Sequence, residues 1–328
     1  MENKYVSLIP VHVHEVYEKT DKTPYGIEML EAPKVWDASN RGERTVIAVL
    51  DTGCDTNHPD LKDRIIDGRN FTDDFGAEPD HFEDNNGHGT HVSGTIAASL
   101  NGEGVAGMAP EASILAVKVL SGKGSGRYDW IINGIKYAVD WRGPNGEKAR
   151  VISMSLGGSE DYPELHKAIQ KAVQSGILVV CAAGNSGDGS HDSPEYAYPG
   201  AYPEVVQVGA VDKDMKPAPF SNTNAHIDLV APGVKVVSTY PDGKYASLSG
   251  TSMAAPHISG AAALLITELE KRMKRELTEA EIYAQLCKHA TALGYEPAFE
   301  GYGLPRLHSS RQCYSGLLNQ PDTITTAQ

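Results

Sequence analysis

The chain has 328 residues, 40% of them hydrophobic, which is enough apolar material for one large domain or two small ones. A formal net charge of −14 and a pI near 5.3 argue against nucleic acid or an anionic membrane as partner, since both need a basic face. No stretch approaches the roughly 20 consecutive apolar residues of a membrane span.

The first residues, MENKYVSLIPVHVHEVYEK, carry neither an apolar signal core nor a small-residue cleavage site, so the expected location is the cytoplasm. Residues 1–22 read as a polar N-terminal arm, 23–308 as a single domain without a composition shift, and 309–328 as a loose polar tail. The four cysteines (Cys54, Cys181, Cys287, Cys313) are widely spaced with no Cys-x-x-Cys, which suits free thiols in a reducing compartment.

In chain order, TVIAVL (45–50), SILAVKVL (113–120), RVISMSL (150–156), ILVVCAA (177–183) and VVQVGAV (205–211) read as buried strands. Between them GTHVSGTIAASL, DWIINGIKYAVDW and PELHKAIQKAVQSG carry apolar residues at helical spacing. This alternation predicts an α/β fold with a mostly parallel sheet covered by helices on both faces. Ligands of such sheets sit beyond the carboxyl ends of the strands. Three strands end there on suggestive residues: Asp51, Leu156-Gly157-Gly158 and Asn185.

Each of these residues has an ordinary structural role open to it. Asp51 suits an Asx turn with Gly53, and Asn185 a plain turn. His88, among glycines in NNGHGTHVSGT, suits a solvated turn or a metal pair with His91, although no third ligand is near in sequence. Ser252, in SGTSMAAPHISGAAALL, suits a cap at the start of a buried helix. Together they meet a chemical requirement. A serine hydroxyl needs a base, the base needs a carboxylate to fix its tautomer, and the developing oxyanion needs N–H donors. An esterase-type nucleophile elbow is the rival reading of Gly250–Ala254. It requires an acid and a histidine downstream, where Glu268, Glu300, His289 and His308 occur, none in a strand-end turn.

AVLDTG, HGTHVSG, SLGG, AAGN and GTSMAAPH, in the order Asp, His, Asn, Ser, resemble the subtilisin-type serine proteases (subtilases), over about residues 25–307. The resemblance implies Ser252 as nucleophile, His88 as general acid and base, and Asp51 as its orienter. It implies Asn185 with the Ser252 N–H as oxyanion hole. Gly124-Ser125-Gly126 and Ser155-Leu156-Gly157 would form the two edges that hold an extended peptide substrate. Ala182, Ala183 and Gly184 would line an S1 pocket for large apolar side chains, and Tyr198–Pro199 would be cis. Ala255 departs from the family's common serine. A peptide-gripping protein without activity is the non-enzymatic alternative, and such proteins normally lack a triad member.

The short arm with SLIPV looks like that of the intracellular subtilisins of spore-forming bacteria, where Leu8, Ile9 and Pro10 would block the site; Val11 stands in place of their aromatic residue. That resemblance also implies a homodimer. The loop AASLNGEGVAGMAP (97–110), read as interrupting a helix, resembles the family's Ca²⁺ loop. It implies side-chain ligands from Asp60 and Asn101, carbonyls from Ser99, Glu103 and Val105, and a further ligand from Asp21.

Overall fold

A computed structural model describes residues 5–20 and 23–308. Asp21, Cys313 and the tail at 309–328 lie outside the described residues. Chain order is β1 (Tyr5–Leu8), β2 (His12–Tyr17), α1 (Tyr25–Met29), β3 (Val46–Asp51), β4 (Ile65–Asn70), α2 (His88–Ala97), β5 (Ser113–Lys118), β6 (Ser125–Arg127), α3 (Tyr128–Asp140), β7 (Ala149–Met154) and β8 (Leu156–Gly157). There follow α4 (Pro163–Gln174), β9 (Leu178–Ala182), β10 (Val206–Val211), β11 (Ile227–Pro232), β12 (Val236–Tyr240), β13 (Lys244–Ser249), α5 (Thr251–Met273) and α6 (Glu279–His289).

Seven strands form one parallel sheet in the order β11-β10-β9-β7-β3-β5-β4. The period of two along β3 divides the core between the faces. Ile47 and Val49 pack on the side of α2 and α5, while Val46, Ala48 and Leu50 pack on the side of α3 and α4. Helix α5 is the central one. It lies against β7, β9, β10 and β11, and from Thr251 to Leu264 every residue is buried. Small alanines at 254, 255, 261, 262 and 263 let it approach the sheet closely.

The five expected strands and the two later helices form within two residues of their expected bounds, the first expected helix ends three residues early at Ala97, and Tyr198–Pro199 is cis. One expectation fails. The glycine-rich loop interrupts no helix, because α2 ends at Ala97 and the next element is β5. Gly102 (φ 88°) and Gly104 (φ 65°) turn the chain through left-handed conformations that a right-handed helix cannot continue. Strands β4, β11, β12 and β13, short and of mixed polarity, lacked a periodic signal strong enough to read.

The arm is more ordered than its polarity suggested. Strand β1 lies between β6 and β8, antiparallel to both, with Val6 opposite Gly126, Ser7 opposite Ser125 and Leu8 opposite Leu156. Strand β2 then pairs antiparallel with β13, which leads directly into α5. No helix among the described residues is long and apolar enough to cross a membrane.

Candidate active site

Asp51 ends the central strand β3, and His88 opens α2 beside it. His88 Nδ1–H donates to Asp51 Oδ1 at 2.8 Å, and the Thr52 N–H donates to the same oxygen at 2.8 Å. Both side chains are almost wholly excluded from water. This bond fixes the imidazole with Nε2 free of a proton, the tautomer a general base requires. Among the described residues His88 Nε2 has no hydrogen-bond partner. His91 turns away, its Nε2–H donating to the carbonyls of Val236 and Ala246, so the two histidines do not form a metal pair. Burial, then the neighbouring His88, lowers His91 to a pKa of about 3.

Ser252 is the second residue of α5 and fully buried. Its Oγ–H donates to the Ser155 carbonyl at 3.3 Å, and Ser155 Oγ–H donates back to the Ser252 carbonyl at 3.0 Å. The second bond has a covalent cause. Pro256, four residues on, has no N–H to give that carbonyl, so the Ser155 hydroxyl satisfies it.

Asn185 follows the turn after β9. Its Oδ1 accepts from both the N–H and the hydroxyl of Thr251, each at 2.9 Å. The two donors fix the amide orientation, so Nδ2 must face the site, where it donates to the Pro10 carbonyl at 2.7 Å. Gly250 is needed for this approach: a Cβ there would lie 2.8 Å from Asn185 Nδ2 and 3.0 Å from Val11. Thr251 was not singled out from sequence, although it sits in the same motif as Ser252.

The two predicted peptide-holding edges are β6 with Gly124, and Ser155 with β8; the chain held between them is the arm itself. The Leu8 N–H donates to the Gly124 carbonyl at 2.7 Å. Gly124, at φ 73°, leaves room for Leu8, whose Cδ1 would be 2.9 Å from a Cβ. Ile9 is buried, its side chain within 3.6 Å of where a Cβ on Gly157 would lie. Ala182 and Ala183 are buried at the end of β9, and the Asn222 amide packs against Gly184. Val6 is fully buried in the cluster that contains Leu120, Tyr128 and Leu156. Leu8 is only half-buried. Of the arm residues named from sequence, Ile9 is an anchor and Leu8 a lesser contact, while Val6, the deepest anchor, was missed.

The predicted cation loop gathers Asp60 and Asn101. Asp60 is buried; its Oδ1 accepts from Asn101 Nδ2 at 2.9 Å, and its Oδ2 accepts from the Val105 N–H and the Tyr245 hydroxyl, both at 3.0 Å. Among the described residues the carbonyls of Glu103 and Val105 accept no backbone hydrogen bond, while the Ser99 carbonyl accepts from the Asn101 N–H at 3.0 Å. A buried carboxylate, an amide and main-chain carbonyls on one loop form an all-oxygen donor set, which fits Ca²⁺. No group of three or more His, Cys, Asp or Glu side chains converges as a metal site among the described residues. Glu300, one acid the elbow reading would require, is occupied by the N–H groups of Leu293, Gly294 and Tyr295.

The sequence profile of the subtilase family matches residues 42–304. An intracellular serine protease of Paenibacillus polymyxa is 55% identical over 304 residues, covering 93% of this chain and 91% of that protein. The major intracellular serine protease of Bacillus subtilis (strain 168) is 51% identical over 302 residues, covering 92% and 93%. Subtilisin E of Bacillus subtilis (strain 168) is 41% identical over 299 residues, covering 91% of this chain and 74% of its own length.

Proposed function

The chain belongs to the subtilase family, and from that premise we propose an intracellular serine endopeptidase in which Asp51, His88 and Ser252 form the triad and Asn185 the oxyanion donor. The observation that carries the residue assignment is the buried 2.8 Å bond from His88 Nδ1 to Asp51, which leaves Nε2 as base. The Ser252 hydroxyl rotates from the Ser155 carbonyl to His88 Nε2, loses its proton there and attacks the scissile carbonyl. Asn185 Nδ2 and the Ser252 N–H hold the oxyanion, and His88 returns the proton to the leaving amine. Water then repeats the sequence on the acyl-enzyme.

The arm restrains this site as a substrate-like strand. Counting back from Ile9 as the P1 residue, Val6 is P4, and these two side chains are the buried ones. The same two positions on a substrate should therefore favour apolar side chains. The carbonyl that meets Asn185 is nevertheless Pro10's, one residue beyond the side chain in the P1 position. Attack on the Ile9–Pro10 bond needs the Ile9 carbonyl at that donor, so the arm lies out of register with the chemistry. Tethering gives the arm an effective concentration in the mM range, enough for a weak peptide to fill the groove.

Asp60, Asn101 and the carbonyls of Ser99, Glu103 and Val105 would hold Ca²⁺, with Asn101 turning Oδ1 toward the ion. The cation would neutralise the buried Asp60 and tie the loop to β13 through Tyr245.

Titration with a serine-directed phosphonate tests the assignment. The expected result is stoichiometric labelling at Ser252 with loss of peptidase activity, and no labelling of Ser252→Ala. Peptide binding without labelling or turnover would favour the inactive peptide-gripping alternative.

A further inference from the structure

We propose that Asp84 is a positioning residue, which clamps the turn carrying Asp51 to the first turn of the helix carrying His88. The inference rests on the triad reading above. Helix α2 begins after Gly87, which has no side chain with which to cap it. The free N–H groups of a helix's first turn still need acceptors, and here these come from outside the helix. The Thr90 N–H donates to Asp84 Oδ2 at 2.9 Å, and the Gly89 N–H to Thr52 Oγ1 at 2.9 Å. The Thr52 hydroxyl then donates to Asp84 Oδ1 at 2.8 Å.

This closes a ring. Thr52 is covalently joined to Asp51, Thr90 is two residues from His88, and the Asp84 carboxylate bonds to both threonine hydroxyls. It also accepts from the N–H groups of Asn86 (3.0 Å) and Gly87 (2.9 Å), which pins the approach to the helix. Five donors converge on one carboxylate that is 9% exposed. A second tie holds the other side of the turn: the buried Lys118 ammonium donates to the Thr52 carbonyl at 2.6 Å. Burial pulls the Lys118 pKa down, while Asp74, Asp84 and Asp51 oppose that fall.

The arrangement makes the Asp51–His88 distance a property of Asp84. An asparagine at 84 keeps the volume but presents one oxygen, and its NH₂ would face N–H and O–H donors. Misplacement of a reacting group by about 1 Å costs on the order of a hundredfold in rate. The loss should fall on kcat, because Asp84 lies off the two strands that hold the peptide.

The test uses the full chain, its arm removed in every variant by tagged wild-type enzyme that is then withdrawn, with Ser252→Ala assayed alongside. Asp84→Asn is expected to lower kcat about a hundredfold with KM within about twofold. Thr52→Val should lower kcat in the same way, Thr52→Ser should recover most of that loss, and the double variant should lose no more than the worse single one. If Asp84→Asn does not fold, the Thr52 pair decides. A normal kcat in folded Asp84→Asn would overturn the proposal even if its melting temperature fell. Multiplicative losses in the double variant would also overturn it. Retention of activity by Ser252→Ala would instead overturn the triad reading.

Discussion

The side-chain amide of Asn185 donates to the main-chain carbonyl of Pro10, 175 residues earlier in the chain, at 2.7 Å. The donor expected to stabilise a transition state is thus engaged by the protein's own N-terminal arm. Asn185→Ala should therefore have two effects. On fully processed enzyme kcat should fall by about 10²–10³, a magnitude taken over from subtilisin itself. In the full-length chain the lag before activity should shorten, because the arm loses a hydrogen bond. Thr251→Val, which removes one of the two bonds to Asn185 Oδ1, should reproduce both effects more weakly. Progress curves on a chromogenic peptide measure both; an unchanged kcat for Asn185→Ala would refute the assignment.

Removing the arm should raise initial activity. Burying an apolar side chain of this size stabilises by about 1.5–3 kcal/mol, and Val6 and Ile9 are both buried in the groove. Val6→Asp should weaken arm binding more than Leu8→Asp, since Leu8 is only half-buried. Deletion of residues 1–18 should abolish the lag, and Pro10→Ala should speed self-processing. These expectations would be contradicted by equal initial rates for full-length and truncated enzyme at matched folded fraction.

Calcium should stabilise the fold without taking part in the reaction. An ion that binds only the folded state adds RT ln(1 + [L]/Kd), about 2.7 kcal/mol at a hundredfold excess over Kd. Chelation should lower the melting temperature of the inactive Ser252→Ala protein. Asn101→Ala should remove most of that sensitivity. Elemental analysis finding no calcium, with melting indifferent to EDTA, would exclude the ion.

Stability should fall as the pH drops below about 6.5, before most carboxylates titrate. His257 is fully buried; its Nδ1–H donates to the Met253 carbonyl at 2.8 Å, and its Nε2 has no partner among the described residues. Burial lowers His257 to about 4 and His91 to about 3. In the unfolded chain both bind protons below about 6.5. Because their folded pKa values are depressed, their stabilising contribution is complete above 6.5 and is lost as pH falls toward 4 and 3. The slope approaches about 1.4 kcal/mol per pH unit for each histidine. Urea unfolding of Ser252→Ala at pH 7.0, 6.0 and 5.0 measures it, and His257→Gln should flatten the curve by about half. A flat stability profile over that range would show that the two rings titrate normally.

The amino-acid sequence by itself determined the parallel sheet, because buried strands and amphipathic helices have different periods. Those patterns are local, readable within ten or so residues. It also marked Asp51, His88, Asn185 and Ser252, since their segments combine strand ends with glycines in a recognised order. What only the tertiary structure decided is how distant groups constrain one another. Thr251 orients Asn185 because α5 starts beside the turn after β9. Asp84 caps a helix whose own capping position is a glycine. Ser155 supplies the bond that Pro256 takes from Ser252. Val6 outranks Leu8, although both lie on one face of β1, because Val6 packs into the buried cluster with Leu120, Tyr128 and Leu156 while Leu8 stays half-exposed. Hydrogen-bond direction and pocket depth depend on three-dimensional packing between segments far apart in the chain, and no local period records them.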